Sequence, residues 1–382
     1  MRDEWRHWNP VEVLTGAGKL ESLPEVIASE AVLLVTTPGF EKRGLAAEVK
    51  DLLGQRLQAT HTGVEPNPSL EGLADLREHF SGQGIEAVLA LGGGSAIDTG
   101  KALSVLLAPA AESFELAEHL RQGTEFPALE PLPLTAVPTT HGTGSEVTPF
   151  ATIWSREEQK KYSLADESIY PHRALLDPRL TLTLPEKISV ATGLDALSQG
   201  LEALWNRNAT PLSDLFAAEA VRLAFDNLKE VVRDPEDLNA RSKLQRAALC
   251  SGIAISQTRT ALSHSMSYPL TARFGLPHGL ACGITLPAIW DFVAEVEPER
   301  AREIVGKVGF FKPADLREGL ETLFEVLGVD ELLRENVEEI EDLLEPRDEM
   351  YTPGRADNSL GNPAAAEIES ILTETVELFE EG

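Results

Sequence analysis

Cysteine is scarce: 382 residues contain two, Cys250 and Cys282. Two thiols cannot form a disulfide framework in a chain of this size, so a reducing cytoplasm is the expected compartment. Long apolar runs are lacking too. No stretch of about 18 apolar residues stands out, so no membrane span is expected. The opening Met1-Arg2-Asp3-Glu4-Trp5-Arg6 lacks the apolar core of a signal peptide. Basic residues are outnumbered, 33 Lys and Arg against 62 Asp and Glu, for a formal net charge of −29. That field repels phosphate polyanions, so neither nucleic acid nor an anionic membrane is an expected partner. A small anionic substrate would need a local basic pocket.

What is present suits two domains, with 42% hydrophobic residues to fill their cores. Residues 1–184 alternate short apolar runs with helical patterns. The candidate strands are Val32–Thr36, Gln58–Thr62, Ala87–Leu91, Leu134–Val137 and Ala174–Asp177, with helical stretches such as Leu45–Leu53 and Leu70–His79. This alternation predicts an α/β domain with a parallel sheet. Residues 185–382 carry long amphipathic stretches, among them Ala191–Trp205, Leu212–Val232, Asn239–Ile255, Pro298–Val308 and Leu316–Leu327. An all-α second domain is predicted. From Glu321 to the end the chain is Glu-rich and has no Lys, as solvated helix faces would be.

Two loops can take a dinucleotide. Ala87–Leu91 runs into Gly92-Gly93-Gly94-Ser95, and a helix-compatible stretch follows with Asp98 and Lys101 in its first two turns. Glycines let a ligand approach the backbone, and a helix N-terminus offers unpaired N–H groups to phosphate. The pattern is neither Gly-x-Gly-x-x-Gly nor a Walker loop, so a plain tight turn is the competing reading. The second loop, Pro138 to Thr148, follows another apolar strand and concentrates Thr, Ser and Gly. Two such loops at strand ends of one sheet point to a dinucleotide crevice.

Asp195 and Gln199 lie four apart in a helical pattern and share a face. His264 and His278 follow, 14 residues apart, each in a mostly apolar context. A carboxylate with two imidazoles suits Zn²⁺ or Fe²⁺, whereas a lone buried His is more often a core residue.

Taken together, Pro66-Asn67-Pro68, the Gly92 loop with Asp98 and Lys101, Pro138-Thr139-Thr140 with Gly142 to Thr148, Asp177-Pro178, Thr192-Gly193-x-Asp195, and His264 with Pro277-His278-Gly279 resemble the iron-containing (group III) alcohol dehydrogenases. The resemblance implies an N-terminal dinucleotide-binding domain, a helical C-terminal domain and an active site in the cleft between them. It implies a divalent metal, Fe²⁺ with Zn²⁺ or Mn²⁺ as alternatives, held by Asp195, Gln199, His264 and His278. It places Thr37, Gly93, Gly94, Ser95, Asp98, Thr139, Thr140, Thr143, Ser145 and Lys161 on NAD(P)H. A homo-oligomer, a dimer, is expected.

Three positions depart from the family pattern. Gln199 stands where the family usually has His, and Tyr268 where a second His is frequent. Thr37 replaces a frequent Asp at the end of the first strand, with Lys42 and Arg43 just downstream, so NADPH stays open beside NADH. Ser198-Gln199, Thr258-Arg259-Thr260 and Tyr268-Pro269 are similar to the phosphonoacetaldehyde reductase branch. That implies metal-assisted reduction of a small aldehyde, with phosphonoacetaldehyde giving 2-hydroxyethylphosphonate. Arg259 is then the candidate for the anionic tail, with His141 and Arg273 secondary, and Tyr268 is a candidate proton donor. The rivals are a general short-chain alcohol dehydrogenase, a sulfoacetaldehyde reductase, a cyclase of the dehydroquinate synthase type, and a non-enzymatic NAD(P) sensor with a degenerate metal site.

Overall fold

A computed structural model describes residues 4–380. The first three residues of the N-terminal stretch and the last two of the Glu-rich tail lie outside the described residues. The chain divides into two compact units. One comprises Asn9–Thr140 and Ser145–Thr181. The other comprises the segment ending at Trp8, the four residues His141–Gly144, and the chain from Leu182 onward. The composition change after Leu184 does not reveal the excursion at His141–Gly144.

The first unit is built on eight strands: β1 Glu12–Thr15, β2 Val32–Thr36, β3 Leu57–His61, β4 Ala87–Gly92, β5 Leu134–Pro138, β6 Phe150–Ser155, β7 Lys160–Ala165 and β8 Arg173–Leu176. Six form one parallel sheet in the order β1-β8-β5-β4-β2-β3, and β6 pairs with β7 as a separate antiparallel hairpin. β2, β4 and β5 are buried at every position. Leu33, Val35, Val88 and Ala90 pack on one face, and Val32, Leu34, Leu89 and Leu91 on the other. A sheet covered on both faces explains why these strands read as unbroken apolar runs. The chain leaves β2 toward β3, then returns to the other side of β2 to form β4. This reversal puts the carboxyl ends of β2 and β4 at the point where α/β sheets bind ligands.

The helix after β4 is α1, Gly94–Leu106. It starts two residues earlier than the sequence suggests, so Gly94 and Ser95 form its first turn rather than a loop. Gly100 lets it press on the sheet, since a Cβ there would stand 2.8 Å from that of Ala90.

The second unit is helical. Those of its helices that carry the site are α2 Glu186–Leu204, α3 Pro211–Arg233, α4 Leu238–Thr258, α5 Leu262–Phe274 and α6 His278–Gly283. α2 is buried almost throughout from Ser189 to Leu204. Its glycines permit that: a Cβ on Gly193 would meet Leu228 at 2.5 Å, and one on Gly200 would meet Val221 at 2.9 Å. His278–Val296 is apolar enough by length and composition to cross a membrane, which corrects the impression that no such run exists. Yet 72% of it is buried inside the protein, where it serves as core. In the Glu-rich C-terminal region, helix Ala365–Glu380 buries Ile368, Ile371, Leu372 and Val376 along one stripe. Acidic residues take its outer side.

Candidate metal centre and cofactor loops

The helical unit converges on one cluster. Asp195 projects from α2, His264 from the first turn of α5, and His278 and Cys282 from α6. One ligand atom from each lies within 4.8 Å of all the others. His264 Nε2 is 3.4 Å from Asp195 Oδ1, and His278 Nε2 is 4.0 Å from the same oxygen. The Cys282 sulfur stands 3.8 Å from His278 Nε2. Asp195, His264 and Cys282 are buried, whereas the His278 side chain keeps 38% exposure and marks the open side. Gly279 makes the convergence feasible, because a Cβ there would fall 1.9 Å from the Ala191 carbonyl oxygen. α6 can therefore seat against α2 only with glycine at that position.

Glu202 supports the cluster from two turns along α2. It is fully buried, accepts from the His264 backbone N–H at 3.1 Å, and sets Oε2 2.6 Å from His264 Nδ1. That ring contact is close but poorly directed for a hydrogen bond. A carboxylate behind the outer ring nitrogen favours a proton on Nδ1 and leaves Nε2 facing the centre. Burial disfavours charge on His264, Asp195, Glu202 and Cys282, and their mutual attraction overrides it for all four. Burial lowers the His264 pKa, but Cys282, Glu202 and Asp195 together raise it well above its usual value. Burial raises those of Asp195 and Glu202, yet the neighbouring histidines hold both below the ordinary carboxylate range. Burial also raises the Cys282 thiol, but His264 and His278 bring it down to about 7. Two imidazoles, a carboxylate and a thiol within coordination reach fit a divalent transition metal.

Gln199 lies beside this group with its amide turned around. Nε2 donates to Asp195 Oδ1 at 3.2 Å and to the Thr143 carbonyl at 3.3 Å, while Oε1 accepts from the Ser251 hydroxyl at 2.8 Å. Two acceptors on one side and a hydroxyl on the other fix that orientation, since a flipped amide would oppose oxygen to oxygen. In this arrangement the amide shows Asp195 its donor group.

The other expected residues separate into two sets. In the sheet unit, Thr37, Gly93 and Thr139 stand at the carboxyl ends of β2, β4 and β5. Thr140 lies 3.2 Å from where a Gly93 Cβ would sit, and Thr139 Oγ1 is buried without a hydrogen-bond partner. The Ser95 hydroxyl accepts from the Asn67 N–H at 3.2 Å. Asp98 accepts from the Ser145 hydroxyl at 2.6 Å and from the Thr152 N–H at 2.8 Å. Fully buried Lys101 donates to Ser145, Thr148 and the Phe150 carbonyl. These bonds tie α1 to β6 and to the segment before it. Lys161 on β7 is half-buried and near enough to pull down the Asp98 pKa, which burial raises overall.

Thr143 belongs with the helical unit, as does His141. His141 is fully buried between Arg241 and Thr192, with Nε2 3.3 Å from the guanidinium and Nδ1 3.2 Å from the hydroxyl. An arginine only donates, so Nε2 accepts and the proton sits on Nδ1. Burial, and then the Arg241 charge, depress its pKa to about 3. With both nitrogens engaged, His141 is a core residue and offers nothing to a substrate anion. The glycines around it pack rather than bind: a Cβ on Gly142 would meet the Thr192 carbonyl at 2.7 Å, and one on Gly144 would meet Gly252 Cα at 2.4 Å. Exposed Arg273 is engaged by Glu345 at 3.2 Å, a surface ion pair.

Arg259 differs from both. It is exposed rather than buried, and its backbone has φ 62° and ψ 174°, a region glycine alone adopts easily. Asn206 Nδ2 and the Thr258 hydroxyl hold its carbonyl there. Partial burial, and then the charge of Arg355, push the guanidinium below its usual pKa. Arg355 Nε donates to the Tyr268 hydroxyl at 3.3 Å, one turn beyond His264 on α5. Arg355 is absent from the sequence expectations. Among the described residues, neither arginine has a carboxylate within ion-pair distance.

The chain matches the model of the iron-containing alcohol dehydrogenases over residues 10–178, and that of the Fe-containing alcohol dehydrogenase C-terminal region over residues 189–375. It belongs to the iron-containing alcohol dehydrogenase family. It is 39% identical to a phosphonoacetaldehyde reductase of Streptomyces viridochromogenes over 67% of this chain and 65% of that one. An alcohol dehydrogenase of Thermococcus barophilus is 33% identical over 94% of this chain and 95% of its own. Sulfoacetaldehyde reductase of Bifidobacterium kashiwanohense, solved with NAD⁺, superposes with a TM-score of 0.88 at 29% identity, covering 98% of this chain and 99% of that one. The chain spans only 33% of the length of aldehyde-alcohol dehydrogenase 2 of Entamoeba histolytica, to which it is 33% identical over 73% of its own length.

Proposed function

We propose that this family member reduces a small aldehyde bearing an anionic tail, phosphonoacetaldehyde in the first instance, with NAD(P)H in the cytoplasm. The observation that carries the reading is Arg259, near enough to Arg355 for the two like charges to interact, with no carboxylate within ion-pair distance of either among the described residues. An anion between them would neutralise both charges, and guanidinium forks match phosphonate oxygens. Similarity to a phosphonoacetaldehyde reductase supports the same reading. Asp195, His264 and His278 would hold a cation that would supply Lewis acidity toward the carbonyl oxygen, and a bound nicotinamide would supply hydride.

The remaining work falls to the chain's own side chains. Arg259 and Arg355 bind and orient the tail. Tyr268, which lies on the same helix as His264 and accepts from Arg355, is the group assigned to deliver the proton to the product oxygen. Glu202 keeps His264 in the ligating tautomer. A sulfonate would fit the same arginines, so sulfoacetaldehyde is the second substrate to try.

The test compares kcat/KM for phosphonoacetaldehyde and propanal in wild type and Arg259→Met. The variant is expected to lose about 2–5 kcal/mol of transition-state binding for the phosphonate only. Equal losses on both substrates reject the assignment.

A further inference from the structure

We infer that Cys282 is a metal ligand, completing an Asp195–His264–His278–Cys282 tetrad in place of the imidazole that Gln199 does not supply. Three independent observations converge on it.

The first is placement. His278 and Cys282 are four apart on α6 and share a face, as Asp195 and Gln199 do on α2. The Cys282 sulfur lies 3.8 Å from His278 Nε2 and 3.9 Å from Nδ1. It is therefore directed into the cluster rather than into the apolar core.

The second is size. Tetrahedral coordination at ordinary metal–nitrogen and metal–sulfur lengths sets ligand atoms roughly 3.3–3.7 Å apart. The observed separations of 3.4, 3.8 and 4.0 Å close onto that range with small side-chain movement.

The third is the state of Gln199. Its oxygen is taken by Ser251 and its nitrogen faces Asp195. To ligate, the amide would have to turn, breaking the bonds to Ser251, Thr143 and Asp195 in a buried site. Gln199 is thus a positioning residue that aims the Asp195 carboxylate. The thiol, already in place and chemically suited to a soft or borderline cation, takes the vacated coordination position.

One thiolate among the ligands also shifts selectivity. Sulfur favours Zn²⁺, Fe²⁺ and Co²⁺ over Mn²⁺ and Mg²⁺, which take hard oxygen donors. This chain should therefore discriminate against Mn²⁺ more strongly than a site of nitrogen and oxygen donors alone.

The test is the absorption spectrum of the full-length protein titrated with Co²⁺, without cofactor or aldehyde. It is therefore independent of the substrate reading. Wild type should develop an intense sulfur-to-cobalt charge-transfer band in the near ultraviolet at one Co²⁺ per chain. Cys282→Ser should lose that band and bind Co²⁺ at least tenfold more weakly. Cys250→Ser, which removes the only other thiol, should leave spectrum and affinity unchanged. Stoichiometric Co²⁺ binding by wild type without the band overturns the proposal. So does a band that persists in Cys282→Ser or disappears in Cys250→Ser. The wild-type spectrum decides the matter even if Cys282→Ser fails to fold.

Discussion

Gln199 donates a hydrogen bond to Asp195 across one turn of the same buried helix, with Nε2 3.2 Å from Oδ1. The bond makes the glutamine a brace for the carboxylate, and the same amide bonds the Thr143 carbonyl and the Ser251 hydroxyl. Gln199→Leu should remove the amide's bonds to the Ser251 hydroxyl, the Thr143 carbonyl and one Asp195 oxygen. The expected loss is about 1–3 kcal/mol of stability, read as a lower denaturant midpoint. Metal binding should weaken without any change in the cobalt–sulfur signature.

Arg259 separates function from stability. Its left-handed, extended backbone costs an ordinary residue about 1–3 kcal/mol, and glycine would relieve it. Arg259→Gly should melt no lower than wild type, because relieved strain offsets the added freedom of the unfolded chain. The same variant should lose most of its kcat/KM for the anionic aldehyde. A large drop in melting temperature would show that the arginine serves the fold instead.

His141 gives the helical unit a predictable acid sensitivity. Its folded pKa is near 3 and its unfolded pKa near 6.5. Between those values the unfolded chain binds a proton that the folded chain refuses, so stability falls as pH drops from about 6.5 toward 3. Above about 6.5 both states are neutral there and the contribution is constant. Urea midpoints of wild type and His141→Gln, compared across this window, should diverge with a slope approaching about 1.4 kcal/mol per pH unit. Parallel pH curves would contradict the buried neutral assignment.

Thr37 bears on cofactor choice. It caps the carboxyl end of β2, with exposed Lys42 and Arg43 following. A carboxylate there would bind ribose hydroxyls and repel a 2′-phosphate. Thr37→Asp should lower the NADPH-to-NADH ratio of kcat/KM at least tenfold, on the order of 1.4 kcal/mol. An unchanged ratio would remove Thr37 from the cofactor site.

The central strands were legible because both faces of the sheet are covered, which turns each strand into an apolar run. β1 was not, being a four-residue edge strand, and neither was the β6–β7 hairpin, whose alternating Lys, Tyr and Ser resemble a loop. Asp195, His264 and His278 could be picked out by residue type in apolar surroundings. Cys282 was readable only as a sign of compartment, although its i+4 spacing from His278 was available as a signal. Nothing in the spacing marks Glu202, two turns along from Asp195, yet it is fully buried beneath His264. The amide orientation of Gln199 depends on Thr143 and Ser251, more than fifty residues away in either direction. The burial of His141 likewise depends on Arg241, a hundred residues on. Spacing along the chain carries no information about such contacts.

Anomalous diffraction from crystals grown with Fe²⁺ or Zn²⁺, collected at the metal edge, tests most directly whether this chain holds a catalytic cation. A single strong peak is expected about 2.0–2.3 Å from Asp195, His264 Nε2 and His278 Nε2. Ordered side chains at those three positions with no peak between them, in protein supplied with excess metal, would contradict the metal centre.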